Sequence, residues 1–278
     1  MQELHQKGYY KLRKLLKKVP FNCHFANSVV ENHVKGKIFV DDAHNPRNAY
    51  ILHPYGMSLL AGEAKKNSEF ENWLFHYLLD GNKQRCQDEW MQVYPDIWNE
   101  KIDANLSLKI FDPENITNVP FQESVTMYRR VNFQFNSKKY QNFKKSLKLP
   151  EVQVLRLDDQ LAGRVHGTVV PSAFWNNTTD FLKNGVGFSV VINGEPVSTA
   201  FSSFCHDTIK EIGIETMEKY RGCGFAKIAC IAYIDYCLQE SYTPVWSCRL
   251  ENSNSYNLAI KLGFEPTLQL PYYRLCRH

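Results

Sequence analysis

The stretch that most constrains the fold is EIGIETMEKYRGCGFA, from Glu211 to Ala226. In its first six residues, EIGIET, Ile212 and Ile214 alternate with Glu211, Gly213 and Glu215, the two-residue period of a strand with unlike faces. A basic turn broken by Gly222 and Gly224 follows, and an apolar run of helical length, FAKIACIAYIDYCLQE, starts straight out of it. PVWSCRL then reads as another strand. Strand, helix and strand in that order form a crossover unit, which makes the two strands parallel. Just upstream, GFSVVING and EPVSTAFSSFC flank Asn193-Gly194, the strongest short hairpin signal in the chain. An antiparallel hairpin feeding a parallel crossover predicts a mixed sheet of the α/β class.

Elements extend to both sides of this centre. After Pro150, VQVLRL reads as a strand, DDQLAGRVH as a short helix and SAFWNNTTDFLKNG as one helix stopped by Gly185. SNSYNLAIKLGF reads as a helix and PTLQLPYYRL as the closing strand. The first half has elements of its own. YYKLRKLLKKV sets Leu12, Leu15, Leu16 and Val19 on one helical face among basic residues, which fits a docked terminal helix or an acidic or membrane partner. GKIFVDD and NAYILHPYGMSLLAG read as strands around a turn at DDAHNPRN. SEFENWLFHYLLDG reads as a helix opened by Ser68, with Glu71 completing a capping box, and closed by Gly81. EWMQVY reads as a strand, and DIWNEKIDANL and SKKYQNFKKSL as helices. A chain of 278 residues is long for one domain, and two are expected: an α/β domain over 1–148 and a second over 149–278.

Composition narrows the function. A hydrophobic content of 44% with 22% charged residues is that of a soluble globular protein. A net charge of +4 admits an anionic ligand without requiring nucleic acid, and no basic–aromatic alternation of an RNA-binding kind occurs. Eight cysteines stand singly, without a C-x-x-C pair or zinc spacing, and read as free thiols in a reducing compartment. No apolar run reaches membrane length, so a cytoplasmic location without metal or membrane is expected.

RGCGFA admits three readings. A P-loop fails for want of G-x-x-x-x-G-K-[ST]. A dinucleotide fingerprint is matched by Gly222 and Gly224 but meets Lys227 where its third glycine belongs. The remaining reading is R-x-x-G-x-A, Arg221 through Gly224 to Ala226, a pyrophosphate cradle at a helix start; a plain strand-to-helix turn is its bland counterpart. One strand further on, ENSNSYNLAIKLGF sets Asn252, Ser255, Leu258, Gly263 and Phe264 in the order N-x-x-S-x-x-L, then GF. In this pairing of motifs the chain resembles the GNAT superfamily, the acyl-CoA-dependent N-acyltransferases. There an R-x-x-G-x-G/A turn is followed, one helix and one strand later, by N-x-x-[AS]-x-x-L-Y-x-x-x-GF. The resemblance covers roughly 150–278. CRLENSNSYNLAIKLGF and GKIFVDDAHNPRNAYILHPYGMSLLAGE further resemble a branch containing zwittermicin-type self-resistance acetyltransferases. The first half then reads as an acceptor-side cover, with a degenerate acyltransferase-like repeat as one form of it.

The resemblance implies roles for residues. Thr216 and Met217 would offer main-chain groups to the pantetheine arm of acetyl-CoA, the co-substrate. Arg221, Gly222, Cys223, Gly224, Phe225, Ala226 and Lys227 would surround its pyrophosphate. Asn252 and Ser255 would line the opposite wall, where two parallel strands part. A main-chain N–H near Met217 would hold the oxyanion. Glu211 stands where the family often uses a carboxylate base, with Glu215 on the same strand face; both also fit ordinary ion-pairing residues. Where the family's tyrosine acid would fall, this chain has Ala259; Tyr256, Tyr272, Tyr273 or a water are the candidates to replace it, and each tyrosine also reads as a packing residue.

The function implied is transfer of an acetyl group from acetyl-CoA to a primary amine on a small molecule, by a monomer or homodimer. Two rivals remain open: an acyl-CoA-binding regulator without turnover, for which Ala259 speaks, and a dinucleotide-dependent oxidoreductase, for which the G-x-G speaks. Cys205-His206-Asp207 invites a nucleophile story, but adjacent residues point apart. A metal at Asp41 to His44 competes with a plain turn before Pro46.

Overall fold

The computed structural model describes residues 1–64, 68–83, 85–106, 110–111, 125–148 and 150–277. The chain forms two compact units: Met1–Val131 with Arg249–Glu251 and Gln269–His278, and Asn132–Cys248 with Asn252–Leu268. Residues 132–148 thus belong with the second unit and the C-terminal segment with the first, across the boundary read at 148/149.

In unit 1, β1 (Gln2–Glu3), a 3₁₀ helix (Gln6–Leu12), α1 (Arg13–Leu16) and α2 (His24–Val30) precede β2 (Lys37–Val40), β3 (Asn48–Leu52) and β4 (Met57–Gly62). Then come α3 (Ser68–Leu78), β5 (Glu89–Tyr94), α4 (Ile97–Leu106) and β6 (Ile110–Phe111), and β7 (Val125–Phe135) leads into unit 2. Strands β2, β3 and β4 pair antiparallel, α3 crosses over, and β5 pairs parallel to β4 through five rungs from Met57–Trp90 to Ala61–Tyr94. Tyr273–Leu275 closes the other edge of β5, antiparallel. The core lies between this sheet and α3 and α4, around Leu60, Phe70, Leu74, Met91 and Trp98.

Several expectations in this half need correction. The opening segment is not one α-helix: it is 3₁₀ through Leu12 and then a single α-turn, with Leu12 and Leu16 buried. NAYILHPYGMSLLAG is two strands, folded back at Pro54 and at Gly56, whose φ of 90° suits glycine. Ser68 is the first helical residue of α3 rather than its cap, and the cap position, 67, lies outside the described residues. The left-handed residue that ends this helix is Asp80, with φ 50°, not Gly81. The turn at DDAHNPRN is held by its own aspartates: Asp41 accepts from the N–H groups of Arg47 (3.0 Å) and Asn48 (3.1 Å), and Asp42 from that of His44 (2.7 Å).

Unit 2 opens with the end of β7 and α5 (Ser137–Ser146). It continues through β8 (Gln153–Arg156), α6 (Asp159–Ala162), α7 (Pro171–Phe174) and α8 (Thr178–Asn184). The sheet strands β9 (Gly187–Ile192), β10 (Glu195–His206) and β11 (Ile209–Thr216) follow. A 3₁₀ turn (Glu218–Tyr220) leads to α9 (Phe225–Gln239), β12 (Thr243–Arg249), α10 (Ser253–Lys261) and β13 (Phe264–Leu275). The expected single helix SAFWNNTTDFLKNG is two, because Asn177 leaves helical geometry to cap α8, accepting from Asp180 N–H at 2.8 Å. The Asn193-Gly194 hairpin is present, with φ of 50° and 79° at its two central residues.

Strand order in unit 2 is β8-β9-β10-β11-β12, antiparallel except for the β11–β12 pair. Helix α9 is apolar on nearly every side because both sides are covered. It packs on β9, β10 and β11, with Tyr233 Oη 2.9 Å from Ser202 Oγ. From α5, Tyr140 Oη reaches Ile231 O (3.2 Å) and Asp235 Oδ1 (2.8 Å). The opposite face carries α7, whose Phe174 ring meets Phe201 and Phe204 of β10.

A candidate acyltransferase site at a strand fork

The parallel strands β11 and β12 share three rungs: Ile209–Thr243, Lys210–Pro244 and Glu211–Val245. Both strands run on, to Thr216 and Arg249, without further rungs between them. They fork, and Glu211 stands at the crotch. The residue is 3% exposed, and β10 bulges beside it, with Ser203 as the extra residue and Ser203 Oγ donating to Glu211 O at 3.2 Å.

Strand parity decides which main-chain groups face the opening. Met217 N–H donates to Val197 O of β10 at 2.9 Å, so 213, 215 and 217 turn their backbone groups toward β10. The oxyanion donor expected near Met217 is therefore engaged elsewhere. Ile214 and Thr216 face the fork instead. Thr216 N–H lies 3.2 Å from Glu215 Oε1, which leaves Ile214 N–H as the donor on the open side.

Glu215 itself is an anchor. Its Oε2 accepts from the N–H groups of Thr168 and Val169, both at 2.9 Å, and a Cβ on Gly167 would lie 2.6 Å from the carboxylate. The side chain ties the loop between α6 and α7 to the end of β11. On the other side of the strand end, Thr216 Oγ1 is 2.7 Å from Ser198 Oγ.

The turn after β11 has an open cradle. Gly222 and Gly224 have φ of 82° and 80°, and a Cβ at either would meet nothing within 4 Å. Arg221, Gly222, Cys223 and Gly224 are exposed, and Phe225, Ala226 and Lys227 half-buried at the start of α9. Unsatisfied N–H groups of a helix's first turn form an anion site when the backbone before them is bare. Arg221 Nε lies 3.4 Å from Thr216 O, folding the arginine back along the strand end.

The second motif builds the other wall. Asn252 caps α10, its Oδ1 accepting from Ser255 N–H at 3.2 Å, and Ser255 Oγ accepts from Trp246 Nε1 at 3.1 Å. Gly263 has φ 84°, and an added Cβ would lie 2.7 Å from Tyr140 N, so the GF pair seats the chain against the start of α5. Phe264 fills the space behind, against Trp246 and Phe135. Ala259 is fully buried. Tyr256 is half-buried, its ring 5.4 Å from Phe133, and its hydroxyl has no hydrogen-bond partner among the described residues. Tyr272 and Tyr273 belong to unit 1, where Tyr273 Oη donates to Asn99 at 2.9 Å.

Sequence reading missed Ile214, the Gly167–Val169 loop and the Ser203 bulge. Strand parity counted back from the turn was the one signal that pointed to Ile214.

A mixed sheet forked between a crossover pair, a bare glycine turn at the mouth of the crossover helix and a capped helix beyond define an acetyltransferase. The chain belongs to the GNAT acetyltransferase family, whose profile matches residues 13–273. It is 26% identical over 284 residues to the uncharacterized N-acetyltransferase YdfB of Bacillus subtilis (strain 168), covering 98% of each. Among solved structures, it is similar to a GCN5-related N-acetyltransferase-like protein from Streptococcus suis 89/1591, with TM-score 0.68, 22% identity and 96% and 98% of the two chains covered. A tandem GNAT protein from the clavulanic acid biosynthesis pathway matches with TM-score 0.60 and 8% identity over 100% and 98% of the chains. These two likenesses are of fold.

Proposed function

We propose that the enzyme moves an acetyl group from acetyl-CoA to a primary amine on a small molecule, at the fork of β11 and β12. The observation that carries this reading is the coincidence of the open glycine cradle with a fork whose crotch holds a buried carboxylate. The pyrophosphate would lie against Gly222 to Lys227 and the pantetheine arm along Ile214 to Met217. Glu211, directly or through water, would take the amine's proton. The nitrogen then attacks the thioester carbonyl carbon, and the charge gathering on its oxygen faces Ile214 N–H. The carbon–sulfur bond breaks, the thiolate takes a proton from Tyr256, whose hydroxyl is otherwise uncommitted, and the second proton, shed by the nitrogen as it becomes an amide, restores that hydroxyl. Glu215, holding the 167–169 loop, would shape the acceptor side rather than move protons. We assign no binding role to nucleic acid or membrane.

A non-catalytic acyl-CoA-binding protein is the second reading, favoured by the buried Ala259 where the family's tyrosine would stand. Incubation with acetyl-CoA and a panel of primary amines, followed by thiol release, separates the two. Amine-dependent release at least about tenfold over the uncatalysed rate is the expected result. No release with any amine, from protein that binds acetyl-CoA, would favour the second reading.

A further inference from the structure

Unit 1 holds a group of rings and arginines to which the proposed acetyl transfer gives no part. The Trp90 ring centroid is 5.3 Å from that of Tyr128 and 5.3 Å from that of Tyr272. The guanidinium carbon of Arg249 is 4.6 Å from the Trp90 centroid and 5.3 Å from that of Tyr128. Arg130 lies over Tyr272 at 5.3 Å, and Arg274 lies 5.9 Å from the Trp90 centroid.

Two side chains here lack the partners their chemistry calls for. Arg274 is paired with Asp88, Nε to Oδ2 at 2.7 Å. Arg249 is half-buried, yet it has only ring contacts and no acid within ion-pair reach among the described residues. Glu251, two residues on, is turned to Arg129 N–H at 3.1 Å. Gln92 shares the Trp90 face of β5 by the period of two. It is fully buried, and neither its Nε2 nor its Oε1 has a hydrogen-bond partner among the described residues. Buried amides normally find partners.

We infer that unit 1 binds the carboxylate of a small molecule, with Arg249 gripping the two oxygens and Gln92 hydrogen-bonding a polar group beside them. Rings against the guanidinium hold its plane and leave the fork of N–H donors for a bidentate acceptor. A carboxylate matches both that fork and the single charge Arg249 leaves unbalanced. A phosphate dianion would bring a second charge. Half-buried Trp90 and Tyr128 give the ligand's apolar part a flat wall.

Benzoate tests the inference, titrated calorimetrically into the full chain beside benzamide and inorganic phosphate. Saturable benzoate binding is expected, with none for benzamide and weaker or none for phosphate. Arg249→Gln should weaken benzoate by about 10- to 100-fold, and Arg249→Lys nearly as much because the fork is lost. No benzoate binding, unchanged binding in Arg249→Gln, or phosphate binding tighter than benzoate would overturn it. Should the variants misfold, the Arg249 side-chain Nε–H resonance of the wild-type protein decides: a saturable shift with benzoate supports the site, and no shift overturns it.

Discussion

At the scale of single residues, Cys223 is a built-in reporter of the cradle. All eight cysteines are free, and Cys86 and Cys223 are the exposed pair. Burial raises the Cys237 thiol to about 12 and also raises that of Cys230, so both should alkylate slowly. Acetyl-CoA should slow maleimide labelling of Cys223 severalfold and leave Cys86 unchanged, as read by peptide mass spectrometry. Equal labelling of Cys223 with and without acetyl-CoA would remove the cradle from Gly222 to Lys227. The proton-transfer roles make a graded prediction. Glu211→Gln should lower kcat/KM by about 100-fold or more and remove the acid limb of its pH profile. Tyr256→Phe should cost about 10- to 100-fold in kcat, since a thiolate leaves more readily than an amine loses its proton unaided. If both variants match wild type across pH, the assigned base and acid are wrong.

At the scale of elements, the GF pair shows how a sequence motif becomes a packing constraint. Gly263→Ala combines a left-handed φ with a Cβ 2.7 Å from backbone of α5, so something must move. The loss should be about 2 kcal/mol or more in denaturant unfolding, with α10 displaced. A loss below about 0.5 kcal/mol would mean the seating of α10 on α5 is loose. The turn-bearing elements were the legible ones. Asn193-Gly194, Gly224 before α9 and Asn252 before α10 each declare a backbone conformation that few residues provide. The fork is expected only through the family resemblance and not from the residues themselves, because how many rungs β11 and β12 share is decided by what packs around them. The oxyanion donor goes with it: Met217 N–H, near which the donor is expected, is engaged with Val197 O, and Ile214 N–H is the one we propose in its place. β7 was overlooked altogether, although Val131, Phe133 and Phe135 alternate with Asn132 and Gln134 and mark a strand.

At the scale of the whole molecule, each unit needs a segment from the other half of the chain. Unit 1 takes Tyr273–Leu275 along β5, and unit 2 takes α5, whose N-cap residue Asn136 donates its N–H to Gly263 O at 2.9 Å and whose Lys144 pairs with Asp235 at 2.6 Å. Fragments 1–148 and 149–278, made separately, should lack native near-ultraviolet dichroism and regain it only together. Native signals from either fragment alone would mean the exchanged segments are dispensable. Both units share a plan: an antiparallel meander, a crossover helix and a parallel strand. We read unit 1 as a degenerate acyltransferase-like repeat. Its parallel pair is closed along five rungs, where unit 2 opens after three. No glycine turn of the R-x-x-G-x-A kind follows β4. Titration calorimetry of the full chain with acetyl-CoA therefore bears most directly on the whole account: one site per chain is predicted, abolished by Gly224→Asp in a protein that remains folded, because aspartate tolerates the left-handed backbone but sets a carboxylate against the pyrophosphate. Two sites per chain, or full affinity in folded Gly224→Asp, would contradict it.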